Sequence, residues 1–182
     1  MNDNIKVYLI CGKARTGKNT VGSFIKKELE KTGHKVCEIQ IMRTLKGYLK
    51  DYFNWDGREE TKPRELLQKM GTELIRGEMD MPSFHIDRLT GDIKVLSNFY
   101  DVFIVDDIRL KNEIMEIRKR FKNVKVILVE KENIDNGLTI EQQNHSTERD
   151  LENFSDYDCK IINSDDIKLL HDEVNKLILG GI

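Results

Sequence analysis

The stretch Val7-Tyr8-Leu9-Ile10-Cys11-Gly12-Lys13-Ala14-Arg15-Thr16-Gly17-Lys18-Asn19-Thr20 decides the fold. Its first five residues form an apolar run that reads as a buried strand. Beyond it, Val21, Phe24, Ile25 and Leu29 recur at helical spacing and share one face. Between strand and helix lies G-x-x-x-x-G-K. In that setting glycines let the backbone curl so that several N–H groups point at one anion, and the helix N-terminus adds its partial positive charge. Gly12, Lys13, Ala14, Arg15, Thr16, Gly17, Lys18, Asn19 and Thr20 are therefore the expected phosphate-binding loop of a nucleotide site. Lys18 would reach the β- and γ-phosphates, and Arg15 is the exposed cation of the loop. The bland alternative, a tight turn before a helix, is opposed by the strand on one side and the helix on the other.

The residue after the lysine refines the reading. GTPase and motor loops place Ser or Thr there as a magnesium ligand. Here that place holds Asn19, and the hydroxyl comes one later, at Thr20. G-K-x-T resembles the small-molecule kinases of the nucleoside monophosphate kinase group, and that resemblance implies magnesium held largely through water, the nucleotide phosphates and an acidic residue. An NKxD guanine signature is absent.

At 182 residues with 38% hydrophobic and 34% charged residues, the chain reads as one polar globular domain, residues 1–182. A net charge of −2 leaves no basic excess for general nucleic-acid binding. The three cysteines, Cys11, Cys37 and Cys159, lie in or beside strand-like runs and read as small buried hydrophobes of a reducing compartment. No run approaches membrane-spanning length, so a cytoplasmic protein without membrane partners is expected. A homodimer is left open.

Five runs read as buried parallel strands: Ile5–Cys11, Lys35–Ile41, Val102–Asp107, Val124–Glu130 and Cys159–Asn163. Helical patterns lie between them: Lys18–Lys31, stopping at Gly33; Thr44–Tyr52; Pro63–Arg76, with Leu66, Leu67, Met70 and Leu74 as its stripe; Ser83–Phe99, broken near Gly91; Leu110–Phe121; and Asp166–Leu179. This alternation predicts an α/β fold, a doubly wound five-stranded parallel sheet. Two segments break the rhythm. Residues 54–100 form a mostly helical insertion suited to gripping an acceptor. Residues 133–155 are polar and suited to a lid that excludes water.

Val102-Phe103-Ile104-Val105-Asp106-Asp107-Ile108-Arg109 places carboxylates at the C-terminal edge of a strand, where ligands bind in such sheets. Asp107 is expected to orient magnesium or the acceptor, and Arg109 to neutralise charge on a transferring phosphoryl group. In the helix after Pro63, Arg64 and Gln68 are expected to face an acceptor, while Lys62, Glu65 and Lys69 read as solvated. Gly71 inside a helix implies a packing or ligand reason. His145 has no second histidine or cysteine at ligand spacing, so zinc is not expected. Ser146 or Thr147 is a candidate cap for the following turn. Arg149 is placed to reach phosphates from the lid. Tyr52, Phe53 and Trp55 are a candidate base-stacking cluster, and Asn163 with Ser164 a candidate border for adenine.

With these segments laid out, the chain resembles the phage-type deoxynucleoside monophosphate kinases, in the P-loop kinase group that also holds phosphomevalonate kinase. That family's G-x-x-x-S-G-K-D-T loop corresponds to Gly12–Thr20, with Thr16 for Ser and Asn19 for Asp. Its Leu-Lys helix opening corresponds to Leu45-Lys46, with Arg43-Thr44 in place of the usual Asp-Pro. Its R-x-L-L-Q-x-x-G-T-E-x-x-R helix matches Arg64, Leu66, Leu67, Gln68, Gly71, Thr72, Glu73 and Arg76. Its D-x-R-x-x-N-E matches Asp107, Arg109, Asn112 and Glu113, and its H-x-S-E appears as His145, Thr147 and Glu148. The resemblance implies ATP- and magnesium-dependent transfer of a phosphoryl group to a (deoxy)nucleoside 5′-monophosphate. It adds Gly71, Thr72 and Arg76 to the acceptor site and His145, Glu148 and Arg149 to the lid. Two alternatives stand beside it: a kinase of another small phosphorylated metabolite, and a nucleotide-binding regulator.

Overall fold

The computed structural model describes residues 4–131 and 137–180; residues 133–136 of the expected lid lie outside them. Five parallel strands form one sheet in the order β2-β3-β1-β4-β5: β1 Lys6–Cys11, β2 Val36–Ile39, β3 Val102–Ile108, β4 Asn123–Lys131 and β5 Cys159–Asn163. The first strand is central, with Tyr8 level with Ile104 of β3 on one side and Lys125 of β4 on the other. It is buried on both faces, which is why its sequence is continuously apolar.

Strand alternation sorts the core into two layers. Val7, Leu9 and Cys11 face Ile86, Leu89 and Ile93 of α4 (Phe84–Leu96) and Ile114 and Ile117 of α5 (Lys111–Arg120). Tyr8 and Ile10 face Val21, Ile25 and Leu29 of α1 (Lys18–Lys31) and Leu170 and Val174 of α8 (Ile167–Leu179). A third, smaller core joins Leu45 and Leu49 of α2 (Arg43–Tyr52) to Leu67 of α3 (Arg64–Gln68) and to Ile75 beyond it. Two short helices, α6 (Ile140–Asn144) and α7 (Ser146–Arg149), precede β5.

Three departures from the sequence expectation have clear causes. The second strand stops at Ile39 rather than Ile41, because the Asp107 carboxylate takes the N–H groups of Ile41 and Met42 at 2.7 and 3.3 Å. The expected helix Pro63–Arg76 is α-helical only to Gln68 and continues as a π-helix over Lys69–Glu78. The wider winding, with bonds reaching five residues back, carries Leu74 off the apolar stripe to 38% exposure and brings Gly71 and Ile75 inward. The expected break near Gly91 is absent: α4 runs through it, and nothing lies within 4 Å of where its Cβ would stand.

Candidate active site

The phosphate loop leaves β1 at the C-terminal edge of the sheet. Gly12 has φ +143°, and a Cβ there would lie 2.2 Å from the Val129 carbonyl oxygen, so glycine is required both by conformation and by the approach of β4. Gly17 has φ +97°, with the Asn163 amide 2.5 Å from its would-be Cβ. Arg15 adopts φ 60° and packs its guanidinium against Gly137. The loop folds around its own lysine: Lys18 Nζ donates to the carbonyls of Gly12 and Lys13 at 3.0 and 2.6 Å, and Thr16 Oγ1 to Lys13 at 3.1 Å. Burial, then the nearby charge of Arg109, pulls the Lys18 ammonium down to about 7.

At the end of β3 the two carboxylates have different work. Asp107 is engaged by the Ile41 and Met42 amides and by Lys46 Nζ at 3.3 Å, so it holds the turn that opens α2. Asp106 is the carboxylate beside the phosphate loop. It lines the same cavity as Lys18 and Asn19, lies against Gly22 of α1, and accepts one bond from Gln40 at 3.0 Å. Burial and the adjacent Asp107 raise its pKa. Asp107, expected to orient magnesium, lines this cavity as well, but its oxygens are engaged by the Ile41 and Met42 amides and by Lys46, whereas Asp106 accepts from Gln40. Its signal was in the sequence: Asp106 shares strand parity with Ile104, which faces α1.

Two cavities open on either side of the loop. One, about 370 Å³, lies between Gly12, Lys13 and Thr16, the end of β4 at Leu128 and Val129, and Thr147 and Leu151. The other, about 730 Å³, is strongly cationic, with Arg15, Lys18, Lys46, Lys62, Arg64 and Arg109 among its walls. Asn19 reaches this cavity; Thr20 is not among its lining residues. A recess of about 110 Å³ shares Lys46, Lys62, Arg64 and Arg109 with it and adds Gln68, Thr72 and Arg76. Arg76 pairs with buried Glu113 at 2.7 Å, and Glu113 also accepts from the backbone N–H groups of Arg109 and Leu110. Its pKa is raised by burial, with Arg76 opposing.

The structure thus brings Arg64, Gln68, Thr72 and Arg76 to one recess with Arg109, as expected. Gly71 is not there. It faces the helix packing, where a Cβ would meet Met42 Cε at 3.0 Å and Leu45 Cδ2 at 3.2 Å. Lys62, read as solvated, instead lines the large cavity and the recess, and its pKa is lowered by burial and by Lys46; no local pattern announces this. Of the aromatic cluster, Trp55 lines the large cavity, with Lys50 5.7 Å from its ring centre, while Tyr52 and Phe53 are exposed. Asn163 braces the loop, donating to the Thr16 carbonyl.

The insertion before β5 lies over the loop. His145 caps α7 itself, its Nδ1 accepting the Thr147 N–H at 3.3 Å. Glu148 reaches the Ala14 amide and Arg109. Arg149 turns outward to Glu152 at 3.6 Å. Among the described residues no cluster of three or more His, Cys, Asp or Glu could hold a metal alone, and no helix is long and apolar enough to cross a membrane.

No protein-family model matches the chain, and no curated protein is similar to it in sequence. Solved structures are similar in fold. The APS kinase of Mycobacterium tuberculosis in complex with AMPPNP and APS superposes with a TM-score of 0.55 at 13% identity, over 97% of this chain and 98% of that one. The shikimate kinase of Aquifex aeolicus gives 0.51 at 13%, over 97% of each chain. A gluconokinase from Sinorhizobium meliloti gives 0.50 at 11%, over 100% of each. The five-stranded parallel sheet and its flanking helices are a fold shared with these solved kinases.

Proposed function

We propose that the protein is an ATP- and magnesium-dependent kinase whose acceptor is a (deoxy)nucleoside 5′-monophosphate. The observation that carries this reading is the pair of cavities that flank the glycine loop, one against Gly12, Lys13 and Thr16 and the other against Arg15, Gly17 and Lys18. One is partly apolar and large enough for a base. The other gathers Lys46, Lys62, Arg64 and Arg109, a concentration of positive charge suited to an acceptor that itself bears a phosphate. The kinase neighbours act on small metabolites, and one holds AMPPNP, which supports ATP as donor.

In this reading the donor phosphates occupy the loop amides and Lys18. An oxygen of the acceptor phosphate attacks the γ-phosphorus in line with the departing β-phosphate oxygen. Lys18 and Arg109 neutralise the charge spread over the transferring group, where such stabilisation counts most. Arg64, Gln68, Thr72 and Arg76 orient the acceptor, and Trp55 offers it an aromatic wall. Asp106 and Asn19 would hold magnesium through water and the phosphates, and the ion would supply charge neutralisation for the transfer. The insertion carrying His145, Glu148 and Arg149 covers the loop and limits water as a competing acceptor.

The test is a panel of ribo- and deoxyribonucleoside monophosphates with ATP, joined by other small phosphorylated acceptors. At least one nucleotide should yield its diphosphate and ADP in equal amounts. If only a non-nucleotide acceptor is phosphorylated, the related metabolite-kinase reading replaces this one; if none is, the kinase reading falls.

A further inference from the structure

The phosphate loop already holds an anion. Glu148 Oε2 accepts the N–H of Ala14 at 3.0 Å, and Oε1 is paired with Arg109 Nη1. The side chain is only 9% exposed. Two other carboxylates fasten the same short segment. Asp150 accepts the Lys111 N–H at 2.6 Å at the start of α5, and Glu152 pairs with Lys13 Nζ at 2.9 Å in partial solvent. Neither reaches Arg109 or the Ala14 amide. Of these three carboxylates, Glu148 is the one that takes groups a phosphate would need.

Chemistry makes the overlap exclusive. An N–H of the loop has one hydrogen to give, and a carboxylate beside a polyphosphate in a buried site adds like-charge repulsion. Conversely, a loop of inward N–H groups beside a half-buried guanidinium with no counter-ion is costly, which favours an anion there before substrate arrives. We propose that Glu148 is an internal stand-in for a donor phosphate group: it occupies the Ala14 amide and Arg109 in the empty enzyme and is evicted by the polyphosphate, which releases Arg109 for transfer. This inference rests on the kinase reading. Its consequence is that Arg109 is withheld until a polyphosphate arrives, so the enzyme trades donor affinity for a transfer group delivered with the donor.

Calorimetry on the full-length protein with a non-hydrolysable ATP analogue and with inorganic tripolyphosphate tests it. Glu148→Gln keeps the shape and removes the competing charge, so both probes should bind about tenfold tighter than to the wild type. Glu148→Asp, one methylene too short to span Ala14 and Arg109, should shift in the same direction. Glu141→Gln removes an exposed charge from the same insertion and should change binding less than about twofold. Unfolding cannot mimic a gain in affinity. Should neither Glu148 variant fold, the wild type decides by hydrogen exchange: the 146–149 backbone should exchange faster once the analogue is bound, and slower exchange overturns the proposal. Equal or weaker binding by Glu148→Gln, or an equal gain in Glu141→Gln, also overturns it while leaving the kinase reading intact. If neither wild type nor variant binds either probe, it is the phosphate-loop reading itself that fails.

Discussion

The side-chain amide of Asn163, at the end of the last strand, donates to the main-chain carbonyl of Thr16 in the phosphate loop at 3.0 Å. Its orientation is set from the other side, where Oδ1 accepts the Asp165 N–H at 3.0 Å. Two segments 147 residues apart are thereby locked together, and the curl of the loop depends on the far edge of the sheet.

That bond makes a sharp prediction. Asn163→Asp turns a donor into an anion facing a carbonyl, beside the loop that must accept phosphates. Binding of an ATP analogue should weaken about tenfold or more, with Asn163→Ala intermediate. Calorimetry measures both; an aspartate variant that binds as well as wild type would remove Asn163 from the loop's support.

Gly12 and Gly33 both have positive φ, +143° and +91°, but only Gly12 meets backbone, the Val129 carbonyl; Gly33 has open space. Gly33→Ala should therefore cost only the conformational strain, about 1–2 kcal/mol. Gly12→Ala should cost roughly 3 kcal/mol or more and abolish analogue binding, because β4 cannot yield without breaking its ladder. Denaturant melts of the two variants give the comparison, and equal losses would contradict it.

Lys18 should report its own charging. Its folded pKa near 7 lies below the ordinary lysine value of 10.5, so between those values the unfolded chain binds more protons and this group's contribution to stability rises with pH. Donor phosphates favour the ammonium and raise the bound pKa. ATP binding at about pH 8.5 should take up close to one proton, and almost none at about pH 6. Calorimetry in buffers of different ionisation enthalpy reads this directly. Lys18→Ala should abolish the uptake and lower kcat about a hundredfold or more.

His85 is fully buried, and among the described residues neither ring nitrogen has a hydrogen-bond partner of normal geometry; burial and the charge of Arg76 hold its pKa down to about 4. The unfolded chain takes up its proton from pH 6.5 downward and the folded one only near 4, so stability should fall as pH drops through that window. The loss is at most about 3 kcal/mol. His85→Asn, less stable at neutral pH, should show a flatter acid limb in melts from pH 7 to 4.

Arg64 tests the acceptor side. Lysine lacks the planar fork, so Arg64→Lys should raise KM for the monophosphate about tenfold or more and leave KM for ATP nearly unchanged. An effect on ATP alone would assign Arg64 to the donor.

What the sequence determined by itself is the part written in short-range pattern. The apolar runs Val7–Cys11 and Val102–Val105 announce strands buried on both faces, Lys18–Lys31 is bounded as expected, and the glycine loop joins that strand to that helix where its spacing puts it. What only the tertiary structure decided depends on partners remote along the chain. Asp107 ends β2 by capturing amides 65 and 66 residues away, Glu148 reaches an amide 134 residues away, and the π-winding after Gln68 is set by packing of Gly71 and Ile75 against α2 and α4. The division of labour between Asp106 and Asp107, and the burial of Lys62, belong to the same class. Periodicity records whether a residue is buried; it carries no record of which distant group completes its hydrogen bonds, and in this protein those long-range bonds assign the site its roles.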